Sequence, residues 1–199
     1  MRMPVLGPGV QRGLKLESGR IYLRPPRLGD WRAWADLREQ SRAFLSPWEP
    51  TWPHDALSGS AFRRRVRAHS QEWRDGVGYS FLIFLRADDQ LVGGVTLSNV
   101  RRGVCQCASL GYWTGQAYAR RGHMTEALVA ALNFSFDDLA LHRLEAACLP
   151  NNTASRGLLV KMGFREEGYA QRYLRINGQW RDHVLFAMLC DEWRKRGKG

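Results

Sequence analysis

Apolar positions change their spacing several times along the 199 residues, and each change marks an element. Ile21-Tyr22-Leu23-Arg24-Pro25 reads as a first strand stopped by two prolines. Asp30 then caps a helix carrying Trp31, Trp34, Ala35 and Leu37. From Asp55 to Trp73, the residues Phe62, Val66, His69 and Trp73 share one helical face, while Arg63, Arg67 and Arg74 share another. That pattern predicts an amphipathic helix with a basic edge.

Tyr79 to Arg86 and Leu91 to Leu97 are apolar, β-branched and aromatic runs. Ala87-Asp88-Asp89-Gln90 between them is a turn signal, so the two form a hairpin. Val104 to Trp113 continues as a strand. Helical spacing resumes through Leu128, Ala131, Leu132, Ser135, Phe136 and Leu139, predicting a helix over 122–139. Arg143 to Leu149 is another strand, followed by a short helix that Asn152 or Thr153 caps and Gly163 terminates. Tyr169–Ile176 and Trp180–Leu189 join at Asn177-Gly178, a pair suited to a type I′ hairpin turn. The order is strand, two helices, three strands, helix, strand, helix, two strands: a single mixed α/β domain over 20–199. Residues 1–19 are expected to form a loose arm.

The net charge of +11 comes mostly from arginine, since only Lys15, Lys161, Lys195 and Lys198 are lysine among 30 basic residues. Such a surface suits a polyanionic partner, RNA included, because guanidinium groups bind phosphate bidentately and stack on bases. Cys105, Cys107, Cys148 and Cys190 contain no C-x-x-C pair and read as free thiols of a reducing cytoplasm. No second His or Cys stands at metal-ligand spacing beside His69, so no metal is expected. Neither a signal-length apolar run at the start nor an apolar stretch of about 18 residues is present, and no membrane association is expected.

The segment Tyr118-Ala119-Arg120-Arg121-Gly122-His123-Met124-Thr125-Glu126-Ala127 places a basic, glycine-containing turn between a strand and a helix. The first N–H groups of a helix lack internal partners and carry the positive end of its dipole, so the turn is a phosphate receptor. The loop Ser46-Pro47-Trp48-Glu49-Pro50-Thr51-Trp52-Pro53, stiffened by prolines, supplies aromatic groups of the kind that line a ligand groove.

Three segments converge on one family: Gly111-Tyr112-Trp113, the turn Arg121 to Ala127, and Asn152-Thr153-Ala154-Ser155 with Lys161-Met162-Gly163-Phe164. Together they resemble the GNAT acetyltransferases. Leu141-His142-Arg143-Leu144-Glu145-Ala146, Gly178-x-Trp180-x-Asp182 and the Phe44-to-Pro50 loop are similar to the ribosomal-protein-alanine N-acetyltransferase type. The family's turn usually reads Gln/Arg-x-x-Gly-x-Gly/Ala. This chain has Ala119 first and Met124 last, which shifts the expected phosphate contacts from side chains to backbone.

The resemblance implies a mostly antiparallel sheet whose strands 104–114 and 143–149 splay apart around acetyl-CoA, flanked by helices. Tyr112, Trp113, Thr114, Arg120, Arg121, Gly122, His123, Met124, Thr125, Asn152, Ser155 and Lys161 would hold the cofactor, and Trp48 and Glu49 would meet the acceptor. Transfer is direct, to a neutral amine. An α-amine, with a pKa of ≈ 7.7–8.0, is on the order of 10% neutral near pH 7, whereas lysine requires roughly ~3.5 kcal/mol more tuning. No carboxylate lies between Cys105 and Trp113, which favours an α-amine acceptor at a protein N-terminus, with a ribosomal protein the implied partner. Glu145 on the partner strand and Glu49 on the aromatic loop are the candidates to receive the substrate ammonium or a proton relayed through water, water alone being an alternative base. The other reading of Glu145 is a pair with Arg143 or Arg165. Ser155, with Tyr169 or Tyr173 as alternatives, is the candidate donor to the departing thiolate. Cys148 is expected to be an inert strand residue near the site. Two other functions share these features: acetylation of a small amine, and RNA or ribosome binding on an inactive scaffold.

Ser155→Ala is expected to lower kcat by about ten- to a hundredfold with less change in acetyl-CoA binding. An unchanged kcat in steady-state assays would remove Ser155 from the chemistry.

Overall fold

A computed structural model describes residues 13–196. Its eight strands are β1 (Leu16–Ser18), β2 (Ile21–Arg24), β3 (Tyr79–Leu85), β4 (Leu91–Arg101), β5 (Cys107–Thr114), β6 (Arg143–Cys148), β7 (Arg165–Ile176) and β8 (Gln179–Leu189). The helices are α1 (Trp31–Gln40), α2 (Arg42–Leu45), α3 (Gly59–Asp75), α4 (His123–Asn133), α5 (Thr153–Met162) and α6 (Cys190–Arg196). All strands form one sheet in the order β1-β2-β3-β4-β5-β6-β8-β7. Every pairing is antiparallel except β5 with β6.

Both faces of this sheet are covered, which explains why β3 reads as a continuous apolar run. Phe81 and Ile83 enter a core with Leu128, Leu132 and Phe136, while Leu82 and Phe84 enter a second core with Trp34, Phe62 and Val66. The helix α3 serves both layers: Phe62 and Val66 belong to the second core and Trp73 to the first. Ser58 caps it, its side chain accepting from Ala61 N–H, and Gly76 ends it in the left-handed conformation. His69 is only half-buried on the same face.

Most expected elements are present with shifted ends. The differences have local causes. Residues 1–12 of the expected arm lie outside the described residues, but Leu16–Ser18 is a strand paired with β2. The long helix expected over 122–139 is α4 followed by a π-turn, Phe134–Asp138, in which the buried Ser135 hydroxyl donates back to Ala131 O at 2.6 Å. The helix α6 extends directly from β8, where the apolar pattern predicts no helix. At Asn177-Gly178 both residues have positive φ, 44° and 78°, as a type I′ turn requires.

The strands β5 and β6 pair over only three positions, Cys107↔Arg143, Ala108↔Leu144 and Ser109↔Glu145. Beyond Ser109, β5 stays paired with β4 through Thr114, and β6 stays paired with β8 through Cys148, so the two strands part. The sheet thereby opens a wedge at its centre.

Close approach fixes one wall of that wedge. A Cβ on Gly93 would collide with the Trp113 carbonyl of the neighbouring strand, whereas one on Gly157, inside α5, would meet nothing within 4 Å. Gly93→Ala is expected to lower stability by about 1–3 kcal/mol, the usual cost of overpacking. Gly157→Ala should instead be neutral or raise it by up to about 1 kcal/mol. Thermal melts of the two variants check the contrast, and equal melting temperatures would contradict it.

Candidate functional site

The wedge between β5 and β6 opens into a cleft of about 700 Å³. At one end lies the turn before α4. Arg120 and Gly122 take left-handed backbone conformations, φ 59° and 85°, and so curl the chain round the helix start. Among the described residues, the N–H groups of 120–125 donate to no protein acceptor, and Glu126 N–H is the first to bond back, to Gly122 O at 3.2 Å. Arg20, just before β2, braces the turn. Its guanidinium donates to the Arg121 carbonyl at 2.9 Å and clamps the Glu126 carboxylate, to which its backbone N–H also donates at 2.7 Å. A left-handed turn capped by unpaired donors is built for an anion.

At the centre, Tyr112 of β5 and Ser155 of α5 meet across the split. The Tyr112 hydroxyl is 2.8 Å from Ser155 Oγ. Ser155 is held there by the helix start itself, because the Asn152 side chain accepts from Ser155 N–H at 3.1 Å. Asn152 is therefore a cap that also positions the hydroxyl. Burial pushes the Tyr112 phenol up to about 12, opposed by its hydrogen bond with Ser155. The phenol is thus a hydrogen-bond donor that keeps its proton. Cys148 lines the same wall, and burial pushes its thiol up, against an opposing hydrogen bond from Ser155.

Trp48, Glu49, Trp113 and His183 also line the cleft. The buried Arg38 of α1 pairs with the Glu49 carboxylate, and Trp52 Nε1 donates to the same carboxylate at 2.7 Å. The Arg38 guanidinium also lies 4.4 Å from the centre of the Trp52 ring and 4.9 Å from that of Trp113. The Glu49 carbonyl accepts from Asn177 N–H at the β7–β8 turn, 2.9 Å away. One acidic residue therefore ties the aromatic loop to α1 and to the hairpin.

Ten of the sequence candidates line this cleft together with Trp48 and Glu49: Tyr112, Trp113, Thr114, Arg120, Gly122, His123, Met124, Thr125, Asn152 and Ser155. Four do not. Glu145 lies outside because the alternation of β6 sends Leu144, Ala146 and Cys148 to the buried face and Glu145 to the other, where it pairs with Arg101 and Arg143 at 3.0 Å each. The expected partner Arg165 instead pairs with Glu192. Tyr173 is exposed on β7, its ring against His183. Lys161 lines a separate hollow with Trp193 and Arg196, and Arg121 is absent from the cleft wall, contributing its carbonyl to the Arg20 brace. Tyr169 bonds Asp182 at 2.8 Å and does not line the cleft. The sequence reading missed Arg38 and His183. Arg38 carries a weak signal, a polar residue in the helical period of Trp31, Trp34 and Ala35, whereas His183 follows the charged Arg181 on its own face of the strand and carries none.

Among the described residues no group of three or more His, Cys, Asp or Glu side chains could hold a metal ion, and no helix is long and apolar enough to cross a membrane.

A split sheet with an anion-binding helix start on one side and a hydroxyl pair at its centre offers a cleft suited to a long phosphorylated ligand. Residues 20–165 match the model of the acetyltransferase (GNAT) domain, and the chain belongs to that family as an acetyl-CoA-dependent N-acetyltransferase. It is 36% identical over 181 residues to the ribosomal protein uS5-alanine N-acetyltransferase of Escherichia coli, covering 90% of this chain and 93% of that protein. A probable N-acetyltransferase of Bacillus subtilis, YjcK, is 34% identical over 87% of this chain and 96% of its own length. Among solved structures, Mycobacterium smegmatis RimJ in complex with CoA-disulfide superimposes with a TM-score of 0.83 at 36% identity, over 90% of this chain and 87% of that one.

Tyr112→Phe is expected to lower kcat about ten-fold by removing one donor from the hydroxyl pair, and the Tyr112→Phe, Ser155→Ala double variant to fall well short of the product of the two single losses, since each hydroxyl orients the other. A double-mutant cycle in kcat measures this. Fully multiplicative losses would show that the two act independently.

Proposed function

We propose that the protein transfers acetyl from acetyl-CoA to the N-terminal α-amine of a protein, with a ribosomal protein as the acceptor class and the cytoplasm as its place of action. The turn at 120–125 takes the CoA diphosphate on its unpaired N–H groups. The pantetheine arm runs along the open edge of β5, where strand N–H and C=O groups beyond Ser109 have no β6 partner. Asn152 and Ser155 flank the thioester, and Trp48 and the Glu49 loop form the acceptor end.

One observation carries this reading: a single continuous cleft joins the anion-binding turn, the Tyr112–Ser155 hydroxyl pair and the aromatic loop. The pKa gap explains how the hydroxyls act. A phenol near 12 cannot protonate a thiolate whose pKa is ~8.5 by analogy with Cys; full transfer would run uphill by roughly 5 kcal/mol. Tyr112 and Ser155 therefore stabilise the departing sulfur by hydrogen bonding. The name of the Escherichia coli relative supports an α-amine acceptor, as does the absence of a carboxylate on β5. Arginines on the exposed edge of α3, such as Arg63, Arg64 and Arg67, would favour approach to an RNA-bearing particle.

The test is a set of peptides that differ only in their first residue, one of them alanine, incubated with acetyl-CoA beside an α-blocked, lysine-containing control. Mass spectrometry should place the acetyl group on the α-amine of the alanine peptide. Acetylation confined to lysine side chains would overturn the proposal.

A further inference from the structure

We propose that His183 is the base that takes a proton from the acceptor ammonium. This rests on the acetyl-transfer reading above and adds the residue that reading lacks. His183 sits midway along β8, is 3% exposed and lines the cleft. Its Nδ1 is 3.0 Å from the Arg181 carbonyl. A carbonyl only accepts, so Nδ1 carries the hydrogen, and in the neutral ring the lone pair is on Nε2. Among the described residues Nε2 bonds no protein group, and it is not one of the two buried side-chain atoms left sealed without a partner, Trp73 Nε1 and His123 Nδ1. The Tyr173 ring, edge-on with centroids 5.7 Å apart, holds the imidazole from the β7 side. An oriented, unbonded acceptor therefore opens on the cleft.

The other titratable groups of the cleft are unsuited to the task. The Glu49 carboxylate is occupied by Arg38 and Trp52. Burial keeps the Tyr112 and Cys148 protons in place. His123 belongs to the anion-binding turn, beside Arg20 and Arg121, and burial followed by those charges pushes its pKa down. Glu145 lies outside, between two arginines.

In the step, Nε2 takes one proton from R–NH₃⁺, and the freed nitrogen lone pair attacks the acetyl carbonyl carbon. The intermediate collapses with cleavage of the C–S bond, and sulfur keeps the electron pair under donation from Tyr112 and Ser155. The second proton of the nitrogen ends on sulfur, giving free CoA and the amide. His183 passes its proton to water. An α-amine asks little of a base, because with a pKa of ≈ 7.7–8.0 on the order of 10% of it is already neutral near pH 7.

His183→Gln keeps a polar side chain but cannot take up a proton. With an α-amine peptide that the wild type acetylates, kcat/KM at pH 6.5–7 should fall about thirty- to a hundredfold, with acetyl-CoA KM within about twofold. The gap should close to a few-fold by pH 9.5, where the amine is already neutral. A structural role would instead lower the rate equally at every pH, and that result, or an unchanged rate, overturns the proposal. Should the glutamine variant fail to fold, His183→Asn takes its place. The wild-type profile decides independently: it should fall toward acid less steeply than the neutral fraction of the amine, and a kcat/KM that follows that fraction in parallel with the variant also overturns the assignment. A wild type that acetylates no peptide α-amine refutes the acceptor reading, whereas activity that is indifferent to His183 refutes this inference alone.

Discussion

The parting of β5 from β6 after Ser109 is the constraint on which the rest of the molecule depends. Two neighbouring parallel strands ordinarily gain by pairing along their whole length, and unpaired strand donors and acceptors are costly when buried. Here each strand is secured on its other side, β5 by β4 and β6 by β8, so the split leaves the sheet intact as two halves. Tyr112 reaches across the gap to Ser155 at the start of α5, which places a polar bridge where strand pairing would otherwise lie. The opened edge lets an extended ligand complete backbone pairing at the centre of the sheet.

Around that split the fold supplies three different chemistries from three kinds of local structure. The helix start at His123 offers backbone donors, and two left-handed residues are needed to present them. The α5 cap supplies a hydroxyl whose position is set by Asn152. The aromatic loop supplies a wall, held by the Arg38–Glu49–Trp52 cluster to α1 and through Asn177 to the β7–β8 turn. Because Glu49 joins all of these, its charge is spent on architecture. The proton-accepting role therefore goes to His183, the cleft residue whose ring is oriented yet left with an open nitrogen.

Much of this was legible in the chain. The helical period of α3, the Asn-Gly turn, the two-faced apolar runs of β3 and β4, and the basic turn before α4 are all local patterns, and the structure contains each of them. The cleft-lining residues from Tyr112 to Thr125 were readable because they lie close together in sequence, at the end of β5 and in the turn that follows it. Glu145 was misread for the opposite reason. Its proximity to the site along the strand said nothing about which face of β6 it occupied, and one step of alternation moved it to Arg101 and Arg143. Lys161 failed similarly, since its place on α5 directs it to a hollow shared with α6, a helix the apolar pattern did not announce.

The sequence by itself determined the elements, the helix caps and the anion-binding turn, because dihedral preferences, capping side chains and helix dipoles act over a few neighbouring residues. Only the tertiary structure decided that Tyr112 meets Ser155, that Arg38 neutralises Glu49, and that His183 faces the cleft with one nitrogen bonded and the other open. Those facts join residues from strands and helices far apart in the chain. Distances between such residues are set by strand register and packing, which no local propensity encodes.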